Sequence, residues 1–186
     1  MRLPVLPLQA LGLALIIRDG RAGDRDAIEA VTLAAYQQYA TTIPALWEAY
    51  RQNIVSTLAG ASPDAQIVAE DDGRIVGSVL LYRAGTVIAR PGGGPLTLAS
   101  PEVRLLAVAP AARGKGVGAA LMQECVARAR ASGATRLTLH TTEMMQAAVR
   151  LYERMGFVRA PELDFRPGPS LVVKGYRLDL RNAAPR

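Results

Sequence analysis

A single cysteine, Cys125, excludes an internal disulfide, so cysteine usage gives no sign of an oxidising compartment and a cytoplasmic location is the expectation. A single histidine, His140, has no cysteine or histidine companions at ligand spacing, which excludes the usual zinc sites, and no metal is expected. Lysine is nearly missing: Lys115 and Lys174 are the only two, and the formal charge of +6 comes from arginines spread along the chain. No clustered basic face is visible, so nucleic acid is not an expected partner. A membrane-spanning run is also lacking. Residues 1–14 are apolar and begin with a basic Arg2 like a weak signal peptide, but Pro4 and Pro7 interrupt them and they are too short to cross a bilayer. Ile16-Ile17-Arg18-Asp19 already reads as a first strand, with no convincing cleavage site before it. The expectation is therefore an N-terminal extension over 1–14, one domain over 15–182 and a tail over 183–186, with no membrane partner and no internal repeat.

What is present suffices for one compact domain, since half of the 186 residues are hydrophobic. Asp24 can cap a helix over 25–39, in which Ala27, Ile28, Val31 and Ala35 form the apolar stripe. Pro44 opens a second helix, where Trp47, Tyr50, Ile54 and Leu58 recur at helical spacing. Runs 66–70 and 74–82 read as antiparallel strands joined by Asp71-Asp72-Gly73, whose Asp-Gly tolerates positive φ. A Gly- and Pro-rich connection follows over 83–100, then a strand ending at Val108 and a helix running to Ala131, with Gly133 as its stop. On that helix Cys125 shares the apolar face with Val117, Leu121 and Ala129, so it reads as a packed side chain. A strand over 136–140, with His140 as a polar end residue, a helix over 143–155, and strands over 157–158 and 171–180 flanking a loop over 161–169 complete the chain. The fold class is α/β (α+β), a mixed sheet with helices on both faces.

The chemistry concentrates in Arg113-Gly114-Lys115-Gly116-Val117-Gly118-Ala119, between the strand and its helix. Glycines let a backbone approach a ligand, and the first amides of a helix lack internal partners, so this turn can hold an anion. Arg113 and Lys115 favour a phosphate, and a pyrophosphate over an isolated ion. The triphosphatase phosphate loop is excluded, because Gly116 stands where a hydroxyl should follow Lys115 and Ala109 replaces the first glycine. Gly114-x-Gly116-x-x-Ala119, with Glu143 beyond the next strand, also matches a dinucleotide fingerprint in form. There the glycine leaves the strand almost directly, whereas residues 109–113 intervene here. Glycines serving only close helix packing are a further reading. The remaining pattern is Arg-x-x-Gly-x-Gly on Arg113, Gly116 and Gly118.

Its flanks resemble one family. Pro101-Glu102-Val103-Arg104-Leu105-Leu106-Ala107-Val108 resembles the fourth strand of GCN5-related N-acetyltransferases, and Ala148-Val149-Arg150-Leu151-Tyr152-Glu153-Arg154-Met155-Gly156-Phe157 resembles their A-x-x-L-Y-x-x-x-G-F signature. The close resemblance covers residues 101–157. It implies a mostly antiparallel sheet whose fourth strand splays from its neighbour after a bulge, with acetyl-CoA as cosubstrate in the gap. In that picture the Leu106 amide polarises the thioester carbonyl, Ala107 and Val108 bind pantetheine like an added strand, and Arg113, Gly114, Lys115, Gly116, Val117, Gly118 and Ala119 receive the pyrophosphate. Tyr152 is the implied general acid. Glu102 is the implied base, set by strand alternation on one face with Arg104 and Leu106, although an arginine partner across strands would also explain it. Many relatives carry Asn where Met145 stands; Gln146 follows it. Tyr36, Tyr39, Trp47 and Tyr50 are candidates for an acceptor wall. The implied activity is acetyl transfer to a primary amine, small molecule or peptide, and a homodimer is compatible with it. Two alternatives stand beside it: a toxin-like acetyltransferase acting on aminoacyl-tRNA, which would need the basic face not seen here, and a non-catalytic acyl-CoA sensor, which would need neither Tyr152 nor Glu102.

Overall fold

Asp71-Asp72-Gly73 makes the turn its composition favours: Asp72 and Gly73 take φ of 48° and 72°, joining β2 (Gln66–Asp71) to β3 (Arg74–Tyr82) as an antiparallel hairpin. The computed structural model describes residues 15–62, 65–89, 93–168 and 171–181. The N-terminal extension and the tail expected from the sequence lie outside these residues. β1 (Ile16–Asp19) adds to β2 on one side. On the other side β3 pairs with β6 (Glu102–Val108), followed by β7 (Arg136–Thr141), β10 (Leu171–Asp179) and β8 (Val158–Arg159). Within this sheet the β6–β7 pair is parallel and the others are antiparallel. The mixed, mostly antiparallel sheet expected above is thus the one formed.

Alternation along the strands gives the sheet two apolar faces. α1 (Arg25–Tyr36) and α2 (Trp47–Gly60) cover one, packing Ile28, Ala35, Tyr36, Ile54 and Leu58 against Val68 and Leu80. α3 (Val117–Ala131) and α4 (Gln146–Arg154) cover the other, where Val117, Leu121, Met122, Cys125 and Tyr152 meet Ile67, Val79, Val103, Leu137 and Leu139. Among the described residues no helix is long and apolar enough to cross a membrane.

Several expectations are corrected. Asp24 does not cap α1 through its side chain; its carboxylate accepts from the Arg21 amide at 2.7 Å and pairs with Arg18 at 2.6 Å, and Arg18 in turn reaches Glu70. The Arg18 guanidinium holds the Asp24 carboxyl below its usual range. α1 ends at Tyr36 and tightens into a 3-10 turn over Gln37–Tyr39. α2 begins at Trp47 and not at Pro44, and α4 begins at Gln146, so Met145 precedes the helix with ψ of 48°. The connection over 83–100 contains a two-stranded ribbon of its own, β4 (Val87–Ala89) with β5 (Pro95–Thr97), while residues 90–92 lie outside the described part. The loop over 161–169 likewise holds β9 (Phe165–Gly168), which pairs with β10. Strands this short carry too few residues for a period to stand out among Gly and Pro.

Candidate active site

The site is built on an irregularity in β6. Ser78 pairs with Ala107 and Leu80 with Arg104, so Leu105 and Leu106 together stand opposite Val79, and Leu105 adopts φ of 50°. This is a β-bulge. On its other edge β6 pairs with β7 only at Glu102↔Thr138 and Val103↔Leu139, after which the two parallel strands part. The expected splay is present. The bulge also corrects the expected alternation: the extra residue switches faces, so Leu105 packs with the α1 and α2 cluster while Leu106 packs with the α3 cluster, away from the face of Glu102 and Arg104. The Tyr36 hydroxyl donates to the Leu106 carbonyl at 3.3 Å, which ties α1 to the bulge.

Downstream, a 3-10 turn over Pro110–Ala112 leads to Gly114 and Gly116, at φ of 76° and 83°. Gly116 is the N-cap of α3 and no side chain caps that end, so the first amides of α3 are left as donors for something else. A Cβ at Gly114 or Gly116 would meet nothing within 4 Å, so the turn lies open. Arg113 is engaged within the protein: its guanidinium donates to the Ala35 carbonyl at 3.0 Å and to Gln38 at 3.3 Å, at the C-terminal end of α1 where a cation is favoured. Lys115 is exposed.

Beside the C-terminal half of β6 lies a cleft of about 460 Å³, bordered by the end of α1, the glycine turn, the start of α3 and α4. Of the residues singled out in the sequence, Leu106, Val108, Arg113, Gly114, Gly116, Val117, Gly118, Ala119 and Tyr152 all line it. Ala107 is buried on the α1 side, and neither Lys115 nor Glu102 reaches the cleft wall. Tyr36, Tyr39 and Arg154 also line it. Trp47 and Tyr50 stack behind Tyr36, with the Tyr50 ring 6.0 Å from that of Tyr36 and 6.3 Å from that of Trp47, so they support the wall without forming it. Met145 faces the cleft, whereas Gln146 lines a separate cavity with Thr142 and Lys174. With the open amides of the glycine turn at one end and Leu106, Val108, Ala148 and Leu151 among the lining residues, the cleft fits a phosphate-bearing ligand with an apolar arm.

Tyr152 is buried at 6% exposure. Burial, with Tyr36, Tyr39 and Cys125 nearby, pushes its phenol well above its ordinary value, so it remains a hydrogen donor throughout the working pH range. Glu102 is 4% exposed on the α1 and α2 face, with Tyr82 and Thr138 opposite it on the two neighbouring strands. Its oxygens lie 3.9 Å from Arg104 Nε and 3.3 Å from His140 Nδ1. The His140 contact could not be read from the sequence, because the parallel register of β6 and β7 creates it.

Cys125 is fully buried on the inner face of α3, and burial pushes its thiol up to about 12. The nucleophile is the thiolate, so the native protein should resist alkylation near neutral pH and react at once when unfolded. Mass spectrometry after iodoacetamide treatment checks this, and rapid labelling of native protein would contradict the burial.

Residues 29–157 match the acetyltransferase (GNAT) family. Two curated relatives are mycothiol acetyltransferases. That of Thermobispora bispora is 37% identical over 93 residues, covering 45% of this chain and 30% of the relative; that of Streptosporangium roseum is 40% identical over 58 residues, covering 31% and 17%. The chain thus spans less than a third of the length of either. Among solved structures, the ribosomal-protein-S18-alanine N-acetyltransferase of Escherichia coli aligns over 91% of this chain and 96% of that one, with TM-score 0.63 and 16% identity. YncA of Salmonella typhimurium, solved with acetyl-CoA, aligns over 92% and 97%, with TM-score 0.59 and 22% identity. These likenesses concern the fold, and with the family match over the bulged strand, the glycine turn and Tyr152 they place the chain in the GNAT family of acetyltransferases, to which it belongs.

Proposed function

We propose that this protein moves an acetyl group from acetyl-CoA to a primary amine by direct attack, with both substrates bound together. The observation that carries the reading is that the β6 bulge, the open glycine turn and Tyr152 all border one cleft. Bound there, acetyl-CoA supplies an acetyl thioester activated toward amines. The amides at the start of α3 and the turn 113–119 hold the pyrophosphate, and backbone groups of Ala107 and Val108, freed where β7 departs, hold the pantetheine arm. The Leu106 amide donates to the acetyl carbonyl oxygen as negative charge develops on it. Tyr152 gives its proton to the departing thiolate. Arg154, unanticipated from the sequence, adds a cation to the cleft wall.

The amine reaches this site as an ammonium and must lose a proton before attack. Glu102 is the base, acting through water, since its carboxylate is buried and does not line the cleft. Glu102→Gln should therefore lower kcat/KM by roughly 10²-fold and remove the acidic limb of its pH profile, because only an ionised carboxylate accepts a proton. Retention of that limb, with only the thermal midpoint lowered, would make Glu102 a structural residue. The direct route itself is tested by mass spectrometry of protein incubated with acetyl-CoA alone. No acetyl-protein competent for transfer should form, and an intermediate that passes its acetyl group to added amine would overturn the ternary-complex reading.

A further inference from the structure

His140, the one histidine of the chain, stands on β7 two residues beyond Thr138, which pairs with Glu102 across the parallel ladder. Its Nδ1 lies 3.3 Å from Glu102 Oε2, and its Nε2 lies 3.0 Å from the Leu163 carbonyl oxygen. The second contact depends on Gly175, the residue opposite His140 on β10. A Cβ at that glycine would collide with Leu163, so only glycine admits the Pro161–Leu163 turn this close to the strand. Phe165 packs edge-on against the imidazole with centroids 5.3 Å apart. The ring is held on three sides, and its nitrogens have fixed partners.

Those partners determine how many protons the pair holds. A carbonyl oxygen only accepts, so Nε2 must carry a hydrogen. In a neutral imidazole this leaves Nδ1 with a lone pair, directed at a carboxylate oxygen whose side chain is 5% exposed, and two acceptors at that separation repel in a low-dielectric site. One further proton removes the conflict. We propose that His140 and Glu102 share a single proton between Nδ1 and Oε2, and that His140 is the positioning residue that fixes this carboxylate, leaving Oε1 to accept the proton of the amine. This rests on Glu102 being the base.

The other charged or titratable groups around the pair leave this arrangement intact. Arg104, on the same strand, lies with its Nε 3.9 Å from Oε1. Tyr82 stands opposite Glu102 on β3, and Tyr36 and Tyr50, from α1 and α2, feel the charge of Arg104. Toward β10, Lys174 is paired with Glu143 and Asp164 with Arg159.

Because there is one histidine, nitrogen-15 labelling of that residue type gives a spectrum with a single ring. Long-range proton–nitrogen correlation near neutral pH should show both ring nitrogens bearing hydrogen in the wild type and only Nε2 doing so in Glu102→Gln. His140→Phe keeps the ring volume and the Phe165 contact but removes both nitrogens. Its kcat/KM should fall about tenfold, part of the ~10² to 10⁴ that a positioned base provides, and its acidic limb should move to higher pH. His140→Asn, which returns an N–H near the Nδ1 position, should recover most of the rate. A wild-type ring with Nδ1 unprotonated overturns the shared proton, and a folded His140→Phe with unchanged rate and limb overturns the positioning role. Retention of the acidic limb in Glu102→Gln would overturn the base assignment instead, and the spectrum reads the shared proton independently of turnover.

Discussion

Gly116→Asp is expected to abolish acetyl-CoA binding in a protein that remains folded. Gly116 sits in the left-handed region at φ of 83°, a conformation that costs most L-residues about 1–2 kcal/mol but that aspartate and asparagine visit more readily. A Cβ there meets no neighbouring atom within 4 Å, so the cost is limited to that backbone strain and the fold should accept the change. The ligand should not. The new carboxylate would take the open amides of α3 for itself and set a negative charge where the phosphates are to bind. Two unit charges at about 4 Å repel by roughly 4 kcal/mol at an intermediate dielectric, which corresponds to about a thousandfold in affinity. Gly116→Asn has similar shape and backbone preference without the charge, and should lose far less. Calorimetry on both variants, with thermal midpoints to establish folding, checks the expectation; unchanged affinity in folded Gly116→Asp would remove the glycine turn from the cofactor site.

Tyr152→Phe is expected to lower kcat by about 10²-fold with acetyl-CoA affinity retained, the pattern left when a group acts in the transition state and not in binding. The ring of Tyr152 packs beside Phe157, with centroids 6.0 Å apart, in the core between α3, α4 and the sheet. Phenylalanine preserves that packing, so stability should change little. What it removes is the hydrogen donor that, in the proposed mechanism, protonates the departing sulfur. A free thiolate, with an ordinary pKa of about 8.5, is a poorer leaving group than the protonated thiol at neutral pH. The buried phenol stays protonated well beyond its usual range, so no loss of activity from its own ionisation should appear on the alkaline side before the protein unfolds. Rapid-mixing kinetics that show an unaltered chemical step in Tyr152→Phe would return the residue to a packing role.

Much of this was legible in the sequence because periodicity and turn chemistry are local. The hairpin at Asp72-Gly73, the full extent of β3 and the end of α3 at Ala131 follow from residues within a few positions of each other. The glycine turn and the cleft residues from Leu106 to Ala119 likewise lie in one continuous stretch, whereas Tyr36, Tyr39, Met145 and Tyr152 reach the same cleft from the end of α1 and from the α4 segment. What was not legible depends on contacts between distant segments. Asp24 has the composition of a helix cap, yet Arg18 and Glu70 offered its carboxylate a stronger partner in the folded chain. The resemblance of residues 101–108 implies a bulge, but the faces of Leu105 and Leu106 depend on where it falls, which the β3–β6 register sets. Arg113 has the charge of a phosphate ligand and lines the cleft, and its guanidinium also donates to the end of α1, 78 positions away in sequence at Ala35. The pairing of Glu102 with His140 needs β6 and β7 side by side in parallel, an arrangement that exists only once α3 has crossed between them.

Free thiol released from acetyl-CoA measures acetyl transfer directly. Wild-type protein should be mixed with acetyl-CoA and each member of a panel of primary amines, covering small metabolites, polyamines, amino acids and peptides with free N-termini. Thiol release should depend on both protein and amine, and mass spectrometry should find the responding amine carrying one added acetyl group. Thiol release that ignores the amine, or acetyl-CoA that binds by calorimetry yet is never consumed with any amine in the panel, would contradict the assignment.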